Sequence, residues 1–197
     1  MPRLLLASNN RGKWREIIDL LQDLEVDLRT PADLDIKLQV VEDGHTYAEN
    51  AASKALAFAR RAGLLALADD SGLEVEALGG APGLYSARFS PQPDADDADR
   101  RSYLLTELHA HPRPWWAKFH CTVALATPGG ELYFTEGDCP GEIIPQERGL
   151  GGFGYDPIFL IPETGLTMAE LSMAEKNRLS HRARAIKAAL PLLMDLL

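Results

Sequence analysis

Four short stretches of this 197-residue chain carry side chains whose types and spacing suit the chemistry of phosphates and bases. The first is Ser8-Asn-Asn-Arg-Gly-Lys13, directly before an apolar periodic segment. The first turn of a helix ordinarily carries acids, because its free N–H groups and dipole favour negative charge; this one carries Arg11 and Lys13. Cations there fit an anion arriving from outside, since a helix N-terminus already binds phosphate and a lysine adds a mobile point charge. Taken singly, a solvated lysine explains the pattern as well. The second stretch is Asp69-Asp70-Ser71-Gly72, with Glu42 upstream. Neighbouring strand residues point to opposite faces, so both aspartates cannot enter one core, and a buried pair would repel. A hard cation such as Mg²⁺ keeps several waters and is usually shared with substrate phosphates, so Asp70 and Glu42 would suffice to hold one. Asp-Asp-Ser-Gly is also the composition of a plain turn.

The third stretch is Gly149-Leu-Gly-Gly-Phe-Gly154, running to Asp156. It lacks the Gly-Lys-Ser/Thr of a Walker A loop, and it precedes a strand where a dinucleotide fingerprint precedes a helix. Glycines bracket Phe153, whose ring can stack on a base or anchor the loop in the core. The fourth stretch places Lys176, Arg178, His181, Arg182 and Arg184 within about two helical turns, either as a solvated basic face or as an anion site. Lys54, on an alanine-rich helical segment, is a single weaker candidate.

The elements that must position these residues are legible in the periodicity. Leu4 to Ala7 is an apolar run of strand length, and Trp14, Ile17, Ile18 and Leu21 recur at helical spacing. Val26 to Arg29 is a short strand, followed by a polar connection from Thr30 to Asp43. Thr46-Tyr-Ala-Glu49 has the form of a capping box and opens a helix over Tyr47 to Ala62, closed by Gly63. Leu64 to Ala68 reads as a buried strand that delivers Asp69 and Asp70 at its C-terminal end, where α/β sheets place ligands. Gly79 to Gly83 is a turn, Ser90 to Asp99 an acidic exposed loop, and Ala98 to His109 a helix. Residues 117 to 125 alternate as a half-buried strand, and Pro128-Gly-Gly turns it into a hairpin with Glu131 to Glu136. Pro157 to Ile161 is a further strand. Ser172-Met-Ala-Glu175 is a second capping box, opening a last helix with Leu179, Ala183, Ile186 and Leu190 on one face, whose final turns Pro191 should kink or split. The whole reads as a mixed α/β sheet.

A formal charge of −9 argues against a nucleic-acid binder, which normally shows a basic face. Cys121 and Cys139 have no C-x-x-C or zinc-ligand spacing and read as buried free thiols of a reducing compartment. His45, His109, His111, His120 and His181 form no metalloprotease motif. No apolar run approaches the length of a membrane span and no secretory leader precedes the first strand, so a single domain over residues 1–197, cytoplasmic and not membrane-bound, is expected.

Ser8 to Lys13, Glu42 through Glu49-Asn50, Lys54, Ala68-Asp-Asp-Ser-Gly72, Gly79-Gly-Ala-Pro-Gly83 with Tyr85-Ser-Ala-Arg88, Gly152-Phe-Gly-Tyr-Asp-Pro157 and Glu175-Lys-Asn with Ser180-His-Arg182 together resemble the inosine triphosphate pyrophosphatase (Ham1-like) family, from about residue 3 to residue 190. Ser8-Asn9 stands where the family often has Thr-Gly, and the acidic loop Pro91 to Asp99 departs from the pattern without touching a residue that the resemblance needs. The resemblance implies an elongated twisted sheet with flanking helices, two lobes around a central cleft, Mg²⁺ dependence and a homodimer. It also implies cleavage of ITP, dITP or XTP between the α- and β-phosphates. It assigns Ser8, Asn9, Asn10, Arg11, Gly12 and Lys13 to the triphosphate with Lys54 nearby, and Glu42 and Asp70 to the metal. Asp70 or Asp69 would activate water, Lys13 would stabilise phosphate charge, and Ser71 would contact substrate. Phe153 would stack on the base, with Gly154, Tyr155, Asp156, Lys176, His181 and Arg182 around it, and donors of the His181-Arg182 region would read the 6-keto oxygen. The alternatives are a Maf-like pyrophosphatase acting on modified nucleotides and a nucleotide-binding module without catalysis.

Overall fold

The computed structural model describes all residues, Met1 to Leu197. Strands β1 (Arg3–Leu6), β2 (Asp27–Arg29), β3 (Leu65–Val75), β4 (Trp115–Ala126), β5 (Leu132–Ile143), β6 (Phe159–Ile161) and β7 (Leu166–Thr167) join in one seven-stranded sheet in the order β2-β1-β3-β4-β5-β6-β7. β1 pairs in parallel with β2 and β3, whereas β6 pairs antiparallel with β5 and β7, so the sheet is mixed. The helices are α1 (Arg11–Leu20), α2 (Tyr47–Ala62), α3 (Asp97–Leu108), α4 (Met173–Leu179) and α5 (His181–Leu196). None is long and apolar enough to cross a membrane.

The chain divides into two compact units. The first comprises Met1–Ser71, Cys121–Gly137 and His181–Leu197. Its core follows the two-residue period of the strands. Leu4, Leu6, Leu65, Leu67, Cys121, Val123 and Leu125 are buried with Ile17 and Leu21 of the α1 segment and with Ala185, Ile186 and Ala189 of α5. The residues between them, Leu5, Ala66, Ala68, Ala124 and Ala126, are buried with Ala51, Ala55, Phe58 and Ala59 of α2. One sheet face therefore carries α1 and α5, and the other carries α2. Gly137 lets β5 and α5 meet closely: a Cβ there would fall against the carbonyl oxygen of His181 and 2.5 Å from the amide nitrogen of Ala185. The second unit, Gly72–His120 and Asp138–Ser180, has its own core of Leu73, Leu104, Leu108, Trp115, Tyr155, Ile158 and Phe159, with Phe119 and Phe159 rings 4.4 Å apart.

Capping chemistry sets the starts of α2 and α4 at Thr46 and Ser172 as expected, and that of α1 at Asn10. Asn10 Oδ1 accepts from the N–H groups of Gly12 and Lys13, and Thr46 Oγ1 accepts from Glu49 N. Glu49 reaches back one residue further than a capping box requires, to His45 N at 2.7 Å, and Gly63 closes α2 at φ 65°. Ser172 and Glu175 form a full capping box on α4.

The structure corrects the sequence reading in several places. β3 does not end at Ala68: it continues to Val75, so Asp69, Asp70, Ser71 and Gly72 are strand interior and neither a turn nor a strand end. Turn-forming composition is overridden because each carboxylate finds cations on its own face, described below. The single last helix is two helices, broken at Ser180, whose ψ of 153° is extended. α5 runs through Pro191 to Leu196 without splitting. The acidic loop is partly helix cap, since Asp96 and Asp99 form a capping box on α3. Asp156–Ile158 is a 3-10 turn that precedes the short β6.

Candidate active site

In the first unit the strand alternation separates the two aspartates. Asp69 continues the Leu65, Leu67 row toward α1 and α5, and Asp70 continues the Ala66, Ala68 row toward α2. Both are buried, 1% and 7% exposed. Asp69 Oδ2 meets Lys13 Nζ at 3.1 Å and accepts from Arg182 Nε at 3.1 Å. Arg182, 1% exposed, also donates through Nη1 to Glu16 and through Nη2 to Ser71 Oγ at 3.0 Å. Burial alone would raise the Asp69 carboxyl, but the charges of Lys13, Arg182 and Lys54 outweigh it and hold the group well below the usual carboxylate range. Its Oδ1 has no hydrogen-bond partner. The Cys121 thiol lies 3.9 Å from Asp69 Oδ2, and burial, reinforced by the Asp69 charge, pushes it far above the ordinary thiol range. Cys121 is thus an inert core residue, as the sequence suggested.

Asp70 has a different balance. Asn50 Nδ2 donates to its Oδ2 at 2.9 Å, and Lys54 Nζ stands 3.5 Å from its Oδ1 while also donating to Glu42 Oε1 at 2.9 Å. One ammonium thus serves two carboxylates. Burial raises Asp70 above its ordinary value, and Lys54, Lys13 and the Asn50 hydrogen bond offset only part of that cost. Burial would lower the Lys54 ammonium, yet Asp70, Asp69 and Glu42 carry it above the usual lysine value. Two hard oxygen donors converging on one cation, one of them still under-compensated, fit a Mg²⁺ ion, which needs only one or two protein carboxylates. No group of three or more His, Cys, Asp and Glu side chains stands ready for a metal that demands a full protein cage.

Ser8 to Lys13 lies beside this centre through Lys13. Ser8 Oγ accepts from Asn10 N, Trp14 Nε1 donates to Ser8 O at 2.6 Å, and Asn9 and Arg11 are exposed. The anion that Lys13 meets is Asp69, an internal partner, so the cation in the first helical turn is neither solvated nor waiting only for an external charge. Arg182 is more deeply engaged than its basic helical stretch suggests: with its nitrogens on Asp69, Glu16 and Ser71, it anchors the aspartate layer of the first unit. His181 is buried at the start of α5. Glu16 was invisible as a site residue because its place in the α1 pattern reads as an ordinary surface glutamate.

In the second unit the glycine loop, Phe153, Asp156 and Lys176 come together as expected. Lys176 Nζ is 2.7 Å from Asp156 Oδ2 and 5.4 Å from the Phe153 ring centroid, a cation–π contact. Asp156 Oδ2 also accepts from Phe153 N at 3.0 Å, and a Cβ on Gly152, at φ 73°, would collide with it, so only glycine fits there. Tyr155 OH donates to Ser86 O at 2.9 Å, tying the loop to the turn after Gly83. Two contacts were not foreseen: Gly154 N donates to Asp97 Oδ2 at 2.7 Å, and Arg101 Nη1 donates to Gly154 O at 2.8 Å. The acidic segment therefore touches a residue of the candidate site after all.

Comparison with known proteins identifies relatives along nearly the whole chain. A dITP/XTP pyrophosphatase of Desulforamulus reducens is 47% identical over 192 residues, covering 97% of this chain and 95% of that protein. One of Gloeobacter violaceus is 48% identical over 191 residues, covering 96% and 93%. A Ham1 protein from Coxiella burnetii superposes with a TM-score of 0.89 at 39% identity, covering 99% of this chain and all of that one. The dITP/XTP pyrophosphatase from Mycobacterium abscessus superposes at 0.74 with 40% identity, over 96% of this chain and 99% of that one. The sequence profile of the Ham1 family matches residues 4–192, and with these relatives it establishes that the chain belongs to the Ham1 family.

Proposed function

We propose that this chain hydrolyses non-standard purine nucleoside triphosphates, dITP, ITP and XTP, to the monophosphate and pyrophosphate. The observation that carries the reading is the Asp70–Glu42 pair sharing the Lys54 ammonium, beside an Asp69 held ionised by Lys13 and Arg182. Its wider support is membership of a family whose relatives of nearly equal length are named dITP/XTP pyrophosphatases.

Glu42 and Asp70 would hold Mg²⁺, which when bound neutralises phosphate charge. Lys13 and Lys54 bind the polyphosphate and stabilise charge gathering on its oxygens, the largest contribution available to such reactions. Of the two aspartates, Asp70 is the base: burial raises its carboxyl and it lies on the face of Lys54 and Glu42, whereas Asp69 is engaged by Lys13 and Arg182, whose charges hold it low. Asp70 receives a proton of the attacking water as the oxygen bonds to phosphorus and the α–β bridging P–O bond breaks. Asp69 orients Lys13, and Arg182 fixes Asp69 and Ser71. Ser8, Asn9, Asn10, Arg11 and Gly12 line the phosphate end.

Phe153 supplies a face for the base, and Lys176, buried above it, supplies a donor for a 6-keto oxygen. Adenine presents an amino group there, and leaving a buried donor without an acceptor costs about 1–3 kcal/mol. A homodimer belongs to the same reading, and sedimentation at micromolar concentration tests it. The decisive experiment is pyrophosphate release from dITP, ITP, XTP, dATP and dGTP with Mg²⁺. Fast release from the first three and slow release from the others is expected. Equal rates across the panel overturn the selectivity, and tight binding without release favours a nucleotide-binding module.

A further inference from the structure

We propose that Asp97 and Arg101 are positioning residues for base recognition, gripping Gly154 by both its backbone groups and so fixing the loop that presents Phe153. The inference rests on the function proposed above. The loop 149–156 contains glycines at φ 83°, 73° and 61°, at positions 149, 152 and 154, and a chain so rich in conformational freedom has much entropy to lose when it is ordered. An aromatic ring on such a loop is placed only as well as the loop is tethered. Asp156 tethers it from within, through Phe153 N and Lys176. Tyr155 tethers it through Ser86.

The backbone ties the loop at both ends, through Gly151 N to Ala169 O and Ala169 N to Asp156 O, and a further tether, at the residue beside Phe153, comes from α3. Asp97 and Arg101 are four residues apart, hence on one face of that helix. Asp97 Oδ2 accepts from Gly154 N at 2.7 Å, and Arg101 Nη1 donates to Gly154 O at 2.8 Å. Arg101 is itself aimed: its Nε and Nη2 hold Glu147 Oε1 and Oε2 at 2.7 and 3.1 Å, a bidentate pair that fixes the guanidinium plane and leaves Nη1 pointing at the loop. Asp97 is not needed to start α3, because Asp96 and Asp99 already form its capping box. Its remaining oxygen pairs with Arg100. An anion and a cation on the same helical face thus clamp the N–H and the C=O of the residue directly after Phe153. Both side chains bond the loop backbone, and it is through the loop that they act.

Releasing the clamp should let Phe153 sample more orientations. That weakens base binding and discrimination while sparing the phosphate and water chemistry of Lys13, Lys54 and Asp70. The test compares wild type with Asp97→Ala, Arg101→Ala and Asp97→Asn in two measurements. Amide hydrogen exchange of the segment 149–156 reads the clamp without any substrate, and steady-state kinetics with dITP and dATP read its consequence. Expected for the two alanine variants are faster exchange confined to that segment and a KM for dITP raised on the order of tenfold, the loss of one charge-assisted hydrogen bond. Little change in kcat and a reduced dITP-to-dATP preference should accompany these, with an unchanged circular dichroism spectrum. Asp97→Asn keeps an acceptor for Gly154 N and should restore most of both. Unchanged exchange overturns the clamp; faster exchange with unaltered KM and preference overturns its role in recognition. A wild type that hydrolyses none of the panel refutes the proposed function and leaves the exchange result to decide the clamp alone.

Discussion

Asp70 with Lys54 and Asp156 with Lys176 are the same two residue types, each pair buried, yet they are held differently. Asp70 sits inside an eleven-residue strand and Lys54 on a sixteen-residue helix, and the ammonium is shared with Glu42. Asp156 sits at the end of a glycine loop, meets Lys176 at 2.7 Å and accepts from the loop's own Phe153 amide. Where charge is in excess and the backbone is rigid, the arrangement favours binding a further cation and acting on phosphate. Where the carboxylate sits on a glycine-rich loop that it also ties to itself, the pair suits shaping a surface for a ring. In the function proposed above, the same pair would serve chemistry in one place and recognition in the other, with the scaffold deciding which.

Three substitutions break or sharpen that contrast, in falling order of effect. Asp69→Asn removes the charge that Lys13 and Arg182 share, leaving buried cations uncompensated, and should lower stability by about 3–5 kcal/mol in denaturant titrations. Because the folded Asp69 carboxyl lies below its unfolded value of 3.8, the wild-type advantage should be full above that pH and fade only as the solution is acidified through the lower folded value. Asp70→Asn should do the opposite. With a carboxyl raised by burial, the charged form costs stability at neutral pH, so the variant should melt no lower than wild type. Its kcat should nonetheless fall on the order of 10²–10³-fold. Equal thermal losses in the two variants would erase the distinction between the faces of β3. Phe153→Ala should leave melting and kcat nearly unchanged and raise KM, by about 1–3 kcal/mol of lost stacking. A fall in melting temperature instead would return Phe153 to a core anchor.

Much of this was legible in the residues because local chemistry and final structure agree. Thr46, Ser172 and Gly63 end helices where their side chains, or the lack of one, dictate. The Lys13, Glu42, Lys54, Asp69, Asp70 and Ser71 set was visible as types suited to phosphate, and the structure brings them together in one unit. What could not be read depended on partners distant in sequence. Asp-Asp-Ser-Gly reads as a turn until Arg182, more than a hundred residues away, and Lys54 neutralise it into strand. Arg182 reads as a free cation in a basic helical stretch, yet Glu16 and Asp69 occupy it. Asp97 reads as one of many acids in a solvated loop, and only the fold brings Gly154 to it.

Gly137 contributes no group to any of these contacts, and yet it belongs to them. β5 lies against the first turn of α5 only because position 137 has no side chain, and Arg182 is the second residue of that helix. Even a methyl group would have to lift the helix start from the sheet, drawing the guanidinium away from Asp69 and Ser71. A residue without a side chain is in this sense an electrostatic residue, and its tolerance to change should resemble that of the charges it lets meet.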